Sequence, residues 1–153
     1  MLFDIEEQYD KIYRYCYFRL HNRELAEDVT QETFLRYLKN YQCTTTASAL
    51  KYMYTIARNL CVDEYRRLKT ESLDEAIQDH AIEENLLTNI TVRFALSRLT
   101  PAEQELLLLR YVNEVPVSTL GKIYGVSRFA IYRKITSAAN HFQEELRKED
   151  YHG

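Results

Sequence analysis

Ala26-Glu-Asp-Val-Thr-Gln-Glu-Thr-Phe-Leu-Arg36 decides the fold class of this chain. Advanced at roughly 100° per residue, it separates into two helical faces. Ala26, Val29, Thr30, Thr33 and Tyr37 fall on one side, with Phe34 at its margin, a surface small and apolar enough to pack on other helices. Asp28, Gln31, Glu32 and Leu35 recur at i, i+3, i+4, i+7 on the opposite side. A solvated acidic face is the plain reading of that stripe. A solvated face has no need of Leu35, however, and an acidic stripe with an apolar centre suits docking on a basic partner surface.

Upstream, Ile5, Tyr9, Ile12, Cys16 and Leu20 form one buried stripe of a first helix. His21-Asn-Arg23 breaks it, and Asn22 is placed to cap the central helix, which runs to about Lys39. Asn40 to Ser48 reads as a loop around Thr44-Thr-Thr46. A third helix is expected from Ala49 to about Lys69, its core face Leu50, Met53, Ala57, Leu60, Cys61 and Leu68. Tyr52, Thr55, Asn59, Val62 and Arg66 line the other side. Asp63 and Arg67 there read as a routine surface pair. Tyr52 and Asn59 read as functional, because an exposed aromatic beside an amide is a platform for an unstacked base.

Charge is distributed unevenly. The net charge of −3 is the sum of a neutral stretch over 1–68, −5 over 69–92 and +2 over 93–153. Thr70 to Glu84 is acidic without periodicity and reads as a linker. Ser118 to Gln143, in contrast, holds Lys122, Arg128, Arg133 and Lys134 and no acid. With three Gly and two Pro in 153 residues, an all-α chain is the natural expectation. Cys16, Cys43 and Cys61 fit neither disulfide nor zinc spacing, and Cys16 and Cys61 occupy apolar helix positions. The N-terminus lacks a basic run and a long apolar stretch, so a signal peptide or membrane insertion is not expected and a cytoplasmic location is.

Helical spacing returns from Asn85 to Leu99 through Leu86, Ile90 and Phe94. Leu99-Thr-Pro-Ala-Glu103 is a helix start, with Thr100 as N-cap, Pro101 in the first turn and Glu103 as capping-box partner. Leu106 to Val112 reads as a buried run. Val117 to Ser127 then has helix-turn-helix spacing: Gly125 for the left-handed turn, Val126 toward the core, Ser127 as cap, and Gly121 small where two helices cross. On the second helix Ile131, Ile135, Ala138 and Phe142 face inward, leaving Arg128, Tyr132, Arg133, Thr136 and Ser137 outward.

Two stretches, the opening one and Tyr54-Thr-Ile-Ala-Arg-Asn-Leu-Cys-Val-Asp-Glu-Tyr-Arg-Arg67, together with the downstream helix-turn-helix, resemble sigma-70-type initiation factors of bacterial RNA polymerase, most nearly the two-domain extracytoplasmic function (ECF) group. The resemblance implies a sigma-2-like bundle over 1–70, an acidic linker over 71–92 and a sigma-4-like helix-turn-helix domain over 93–153. It implies docking of Asp28, Gln31, Glu32 and Leu35 on the clamp helices of the polymerase largest subunit, with the polymerase flap and promoter DNA as further partners and an anti-sigma factor as a regulator common in the family. It places Asn59, Tyr54, Tyr41, Tyr52 and Arg66 at the −10 element, where a non-template base is flipped and trapped. It places Arg128, Tyr132, Arg133, Lys134, Thr136 and Ser137 at the −35 element. Two departures stand out. Tyr52 replaces the usual Trp, and Tyr132, Ser137, Ala139 and Asn140 stand where Lys or Arg is common. Each missing cation lowers phosphate attraction and its salt dependence.

Neither a nucleophile–base pair, metal spacing nor a phosphate loop is apparent, and His21, His80, His141 and His152 are scattered, so no cofactor and no catalysis are expected. Two alternatives are an autonomous helix-turn-helix regulator and a polymerase-docking protein with weak promoter recognition. The acidic docking face and the aromatic–amide stripe tell against the first, and the cation-poor recognition helix favours the second.

Overall fold

The computed structural model describes residues 4–40, 45–71 and 90–152, and all regular structure among them is helical. The chain divides into two compact units, Met1–His80 and Ala81–Gly153. Tyr41, Cys43, His80 and most of the acidic linker lie outside the described residues.

The first unit is built from α1 (Ile5–Leu20), α2 (Arg23–Lys39) and α3 (Thr46–Glu71), each packed against the other two. Asp4 caps α1 through its carboxylate, which accepts from the Glu7 N–H. His21 ends it in the left-handed conformation, φ 55°, its N–H donating to the Tyr17 carbonyl. Asn22 caps α2 as expected, Oδ1 accepting from the Leu25 N–H at 2.9 Å. With one helix ending and the next starting within two residues, α1 and α2 fold back as a hairpin. The third helix starts three residues earlier than its hydrophobic pattern suggests, because Thr45 Oγ1 accepts from the Ser48 N–H and satisfies the helix end. Thr45 therefore supplies a cap, and Thr46 already belongs to the helix.

Ile12, Cys16, Leu20, Val29, Met53, Ala57 and Cys61 form the buried centre of this unit, and neither of these cysteines is in a disulfide. Thr30 and Thr33 are fully buried yet cost little, since each hydroxyl donates to the carbonyl four residues back at 2.7 Å. Tyr15, Tyr17, Tyr37 and Tyr54 are also buried. Tyr15 meets Tyr54 edge to face, and its hydroxyl accepts from Arg19 at 2.8 Å. Ile5, expected in the apolar stripe, is exposed in the first turn of α1.

The second unit holds α4 (Ile90–Ser97), α5 (Pro101–Leu107) continued by a π-helical turn (Leu108–Val112), α6 (Val117–Tyr124) and α7 (Arg128–His152). Each of α4, α5 and α6 packs on α7. The capping box at Thr100 and Glu103 is complete, with both reciprocal hydrogen bonds made. Gln104 Nε2 donates to the Leu96 and Leu99 carbonyls and ties α4 to α5. The π-helical turn corrects the expected buried run. Asn113 N–H donates to the Leu108 carbonyl, one residue beyond the α-helical partner, so the apolar register slips. Leu106 to Leu109 are buried, but Tyr111 and Val112 turn to solvent while Asn113 and Val115 turn in. Ile90 and Phe94 are likewise exposed.

Buried Glu105 accepts from the Tyr124 hydroxyl at 2.8 Å, joining α5 to α6. His141 lies partly buried between two carboxylates, Nδ1 at 3.0 Å from Glu103 and Nε2 at 3.5 Å from Glu145. Burial pushes the Glu103 carboxyl up, yet the Thr100 N–H and His141 more than offset this and hold it below the usual range. Among the described residues no helix is long and apolar enough to cross a membrane.

Candidate interaction surfaces

On α2 the buried threonine face fixes the rotation of the helix, and the rotation decides what reaches solvent. Asp28, Gln31 and Leu35 are exposed and Glu32 is partly so. Leu35 is 63% exposed, and Leu38, one turn further on, is 62% exposed. The stripe thus runs from acid at its N-terminal end to two bare leucines at its C-terminal end. Leu38 escaped the sequence reading, although it continues the same spacing at i+3 from Leu35 and i+7 from Gln31. Glu32 is held by Arg36 at 2.8 Å, with both side chains about half exposed. Such a pair contributes only about 0.3–0.5 kcal/mol, so a basic partner can recruit Glu32 at small cost.

On α3, Tyr52, Asn59 and Arg66 line one face, the ring of Tyr52 half-buried and Asn59 and Arg66 exposed. The Tyr37 ring buttresses Tyr52 with centroids 6.1 Å apart. At 1.5 Å rise per residue, Asn59 lies about 10 Å along the axis from Tyr52. That is roughly three nucleotides at the stacked spacing of about 3.4 Å per strand. Tyr54 does not join them. Two residues from Tyr52 means about 200° around the helix, which turns Tyr54 into the core at 1% exposure against Tyr15. Here it is a packing residue of the core rather than part of the exposed face.

In the second unit the turn has the expected construction. Gly125 adopts φ 70°, and the N–H groups of Gly125 and Val126 both donate to the Gly121 carbonyl. A Cβ on Gly121 would stand 3.0 Å from the Val126 carbonyl oxygen, a tight contact that favours glycine where α6 meets the turn. Ser127 Oγ accepts from the Ala130 N–H at 3.0 Å and starts α7. Ile131, Ile135 and Ala138 are buried, and Phe142 packs against the Leu99–Leu107–Ala138 cluster. Arg128, Tyr132, Arg133, Lys134, Thr136 and Ser137 are all exposed, as their spacing requires. Phe129, which the sequence reading passed over, is the most exposed large apolar side chain among the described residues, at 78%. Phe129, Tyr132, Arg133, Thr136, Ser137 and Asn140 line one shallow concave surface.

Comparison with known families resolves what these surfaces belong to. Residues 5–71 match the model of Sigma-70 region 2, and residues 95–142 match Sigma-70, region 4. The chain belongs to the sigma-70 family. It is an ECF-type sigma factor, with the region 2 match covering the α2 and α3 stripes and the region 4 match ending on α7. It is 32% identical to the ECF RNA polymerase sigma factor BldN of Streptomyces coelicolor, over 92% of this chain and 60% of that protein. It is 26% identical to the ECF RNA polymerase sigma factor SigW of Bacillus subtilis, over 94% of this chain and 88% of that one. The RNA polymerase sigma factor YlaC of Bacillus subtilis is 27% identical over 93% of this chain and 87% of its own length. This sigma factor therefore spans three-fifths of BldN and nearly nine-tenths of the two Bacillus relatives.

Proposed function

We propose that this chain directs core RNA polymerase to promoters and opens the −10 element, the polymerase supplying the chemistry. The first unit docks through Asp28, Gln31, Glu32, Leu35 and the neighbouring Leu38 on the clamp helices of the largest subunit. Tyr52, Asn59 and Arg66 hold the displaced strand at the −10 element, where stacking and amide hydrogen bonds offset the few kcal/mol that unstacking costs. Arg128, Arg133 and Lys134 position α7 on phosphates at the −35 element, and Tyr132, Thr136 and Ser137 meet base edges. Cytoplasmic action follows from those partners.

The observation that supports this reading most is the pairing of two unlike exposed stripes on one three-helix body. One is acid and leucine on α2; the other is aromatic, amide and cation on α3. A duplex-binding repressor needs neither. The test is transcription in vitro with core polymerase on a pooled genomic template, with and without this protein. Discrete new transcripts that share upstream elements support the proposal. Stable association with core but no transcripts would favour the second reading, a docking protein whose cation-poor α7 no longer reads promoters. Absence of any association with core would overturn both.

A further inference from the structure

The outward face of α7 is not only poor in cations; an apolar pair sits where base edges are read. Phe129 is 78% and Tyr132 62% exposed, in the first two turns after the Ser127 cap. At about 100° per residue, Phe129, Tyr132, Arg133, Thr136 and Asn140 fall within one stripe roughly 100° wide. Ile131, Ile135 and Ala138 lie opposite, buried. Arg128 leaves the helix about 100° to one side of the stripe and Lys134 about 140° to the other. Arg128 and Lys134 therefore stand to either side of a stripe that holds the two aromatics and Arg133, with no acidic residue between Ser118 and Gln143.

This arrangement commits the surface to one occupant. A protein partner would be matched by a broad apolar patch, and the flanking cations would be left unpaired. The major groove of DNA has phosphate walls that suit Arg128 and Lys134 and a floor that includes the methyl groups of thymine. Side chains from the N-terminal turns of the second helix of such a unit are those that reach base edges, and apolar contact with the thymine methyl is one of the direct readout modes. We infer that Phe129, assisted by Tyr132, recognises thymine methyl groups in the upstream promoter element, so that this sigma factor reads part of that element by apolar contact. The inference rests on the proposed function, and it adds a specificity-determining residue and a base preference.

Reconstituted holoenzyme is used to retain genomic fragments, and one retained fragment is synthesised twice, with thymine or with uracil across the upstream element. Uracil keeps the base pair and removes only the 5-methyl group. Holoenzyme carrying the wild-type chain is expected to bind the uracil duplex about four-fold more weakly per methyl contacted, the effect of exposing one buried methyl. The Phe129→Ala holoenzyme is expected to bind both duplexes equally. Because Phe129 is largely exposed, the variant keeps its fold, which circular dichroism checks. Equal binding of the two duplexes by wild type would overturn the inference, as would an undiminished uracil penalty in Phe129→Ala or retained fragments without thymine in that element. Retention of no fragment at all would overturn the sigma-factor reading itself, and this inference with it.

Discussion

Leu35 and Leu38 together give the most direct handle on how the first unit finds its partner. Each keeps more than three-fifths of its surface open, at 63% and 62%. Fully burying a leucine side chain contributes about 1.5–3 kcal/mol, so covering what is exposed here is worth about 1–2 kcal/mol per residue. Removing both by Leu35→Ala and Leu38→Ala should therefore cost about 2–4 kcal/mol of association, or from about 30-fold to several hundred-fold in Kd. The helix itself should not suffer, since alanine is the better helix former and neither side chain packs in the core. The assay is competition with labelled wild-type protein for core polymerase, with the thermal transition recorded beside it. A double variant that competes within about two-fold of wild type while melting normally would refute the reasoning, because the leucines would then be bare for some other purpose. Asp28→Asn serves as the contrast. As an exposed charge at the rim it should alter the association rate and its salt dependence more than the residence time.

Asn59→Ala should leave polymerase binding intact and reduce promoter opening, read as permanganate reactivity of −10 thymines; unchanged reactivity would remove Asn59 from the strand-holding stripe. Tyr54→Ala should destabilise the first unit by about 3–5 kcal/mol, as loss of a large buried aromatic does, whereas Tyr54→Phe should transcribe nearly normally. A folded Tyr54→Ala that fails only in opening would contradict its core assignment. Arg133→Ala should lower the slope of log K against log salt by about 0.9 for duplex binding, and an unaltered slope would mean that Arg133 meets no phosphate. Glu103 has a folded pKa held below its ordinary 4.5, so its contribution to stability is present above that value and is lost as pH falls through the lowered one. Glu103→Gln should accordingly flatten the acid limb of the stability profile below about pH 4.5, and an identical acid limb in the variant would show that the His141 and Thr100 partners do not matter.

The regular helices were legible because their signals are local. Asn22, Thr100 and Ser127 each cap the helix they precede, and Gly125 takes the left-handed turn, since a cap or turn depends on residues within one helical turn. The exposed stripe of α2 was legible for a related reason, in that its buried threonines satisfy their own hydroxyls and leave the rotation of the helix unambiguous. What escaped was set by tertiary packing. The π-helical turn at Leu108 shifts the register by one residue, and no 3.6-residue period predicts where that happens. Tyr54 looked like a site aromatic through its place in a motif, but its angular position relative to Tyr52 sends it inward. His141 meets Glu103 from 38 positions away, a distance over which sequence spacing carries no information.

The imbalance between the two units carries a mechanistic argument. Affinity for duplex DNA scales with the number of phosphates neutralised, and the outward face of α7 offers few cations for this. Free in solution, a chain of net charge −3 with so short a basic stripe is held weakly by bulk DNA. On the proposed function, docking of the first unit changes the arithmetic, because the second unit would then meet the promoter as a tethered module at an effective concentration on the millimolar scale. Under that condition weak phosphate attraction is sufficient, and discrimination falls to whatever reads bases. A basic-rich helix would bind everywhere before it found polymerase. On the proposed function, an aromatic-led helix binds usefully only after docking, and polymerase association is then the step that licenses promoter choice.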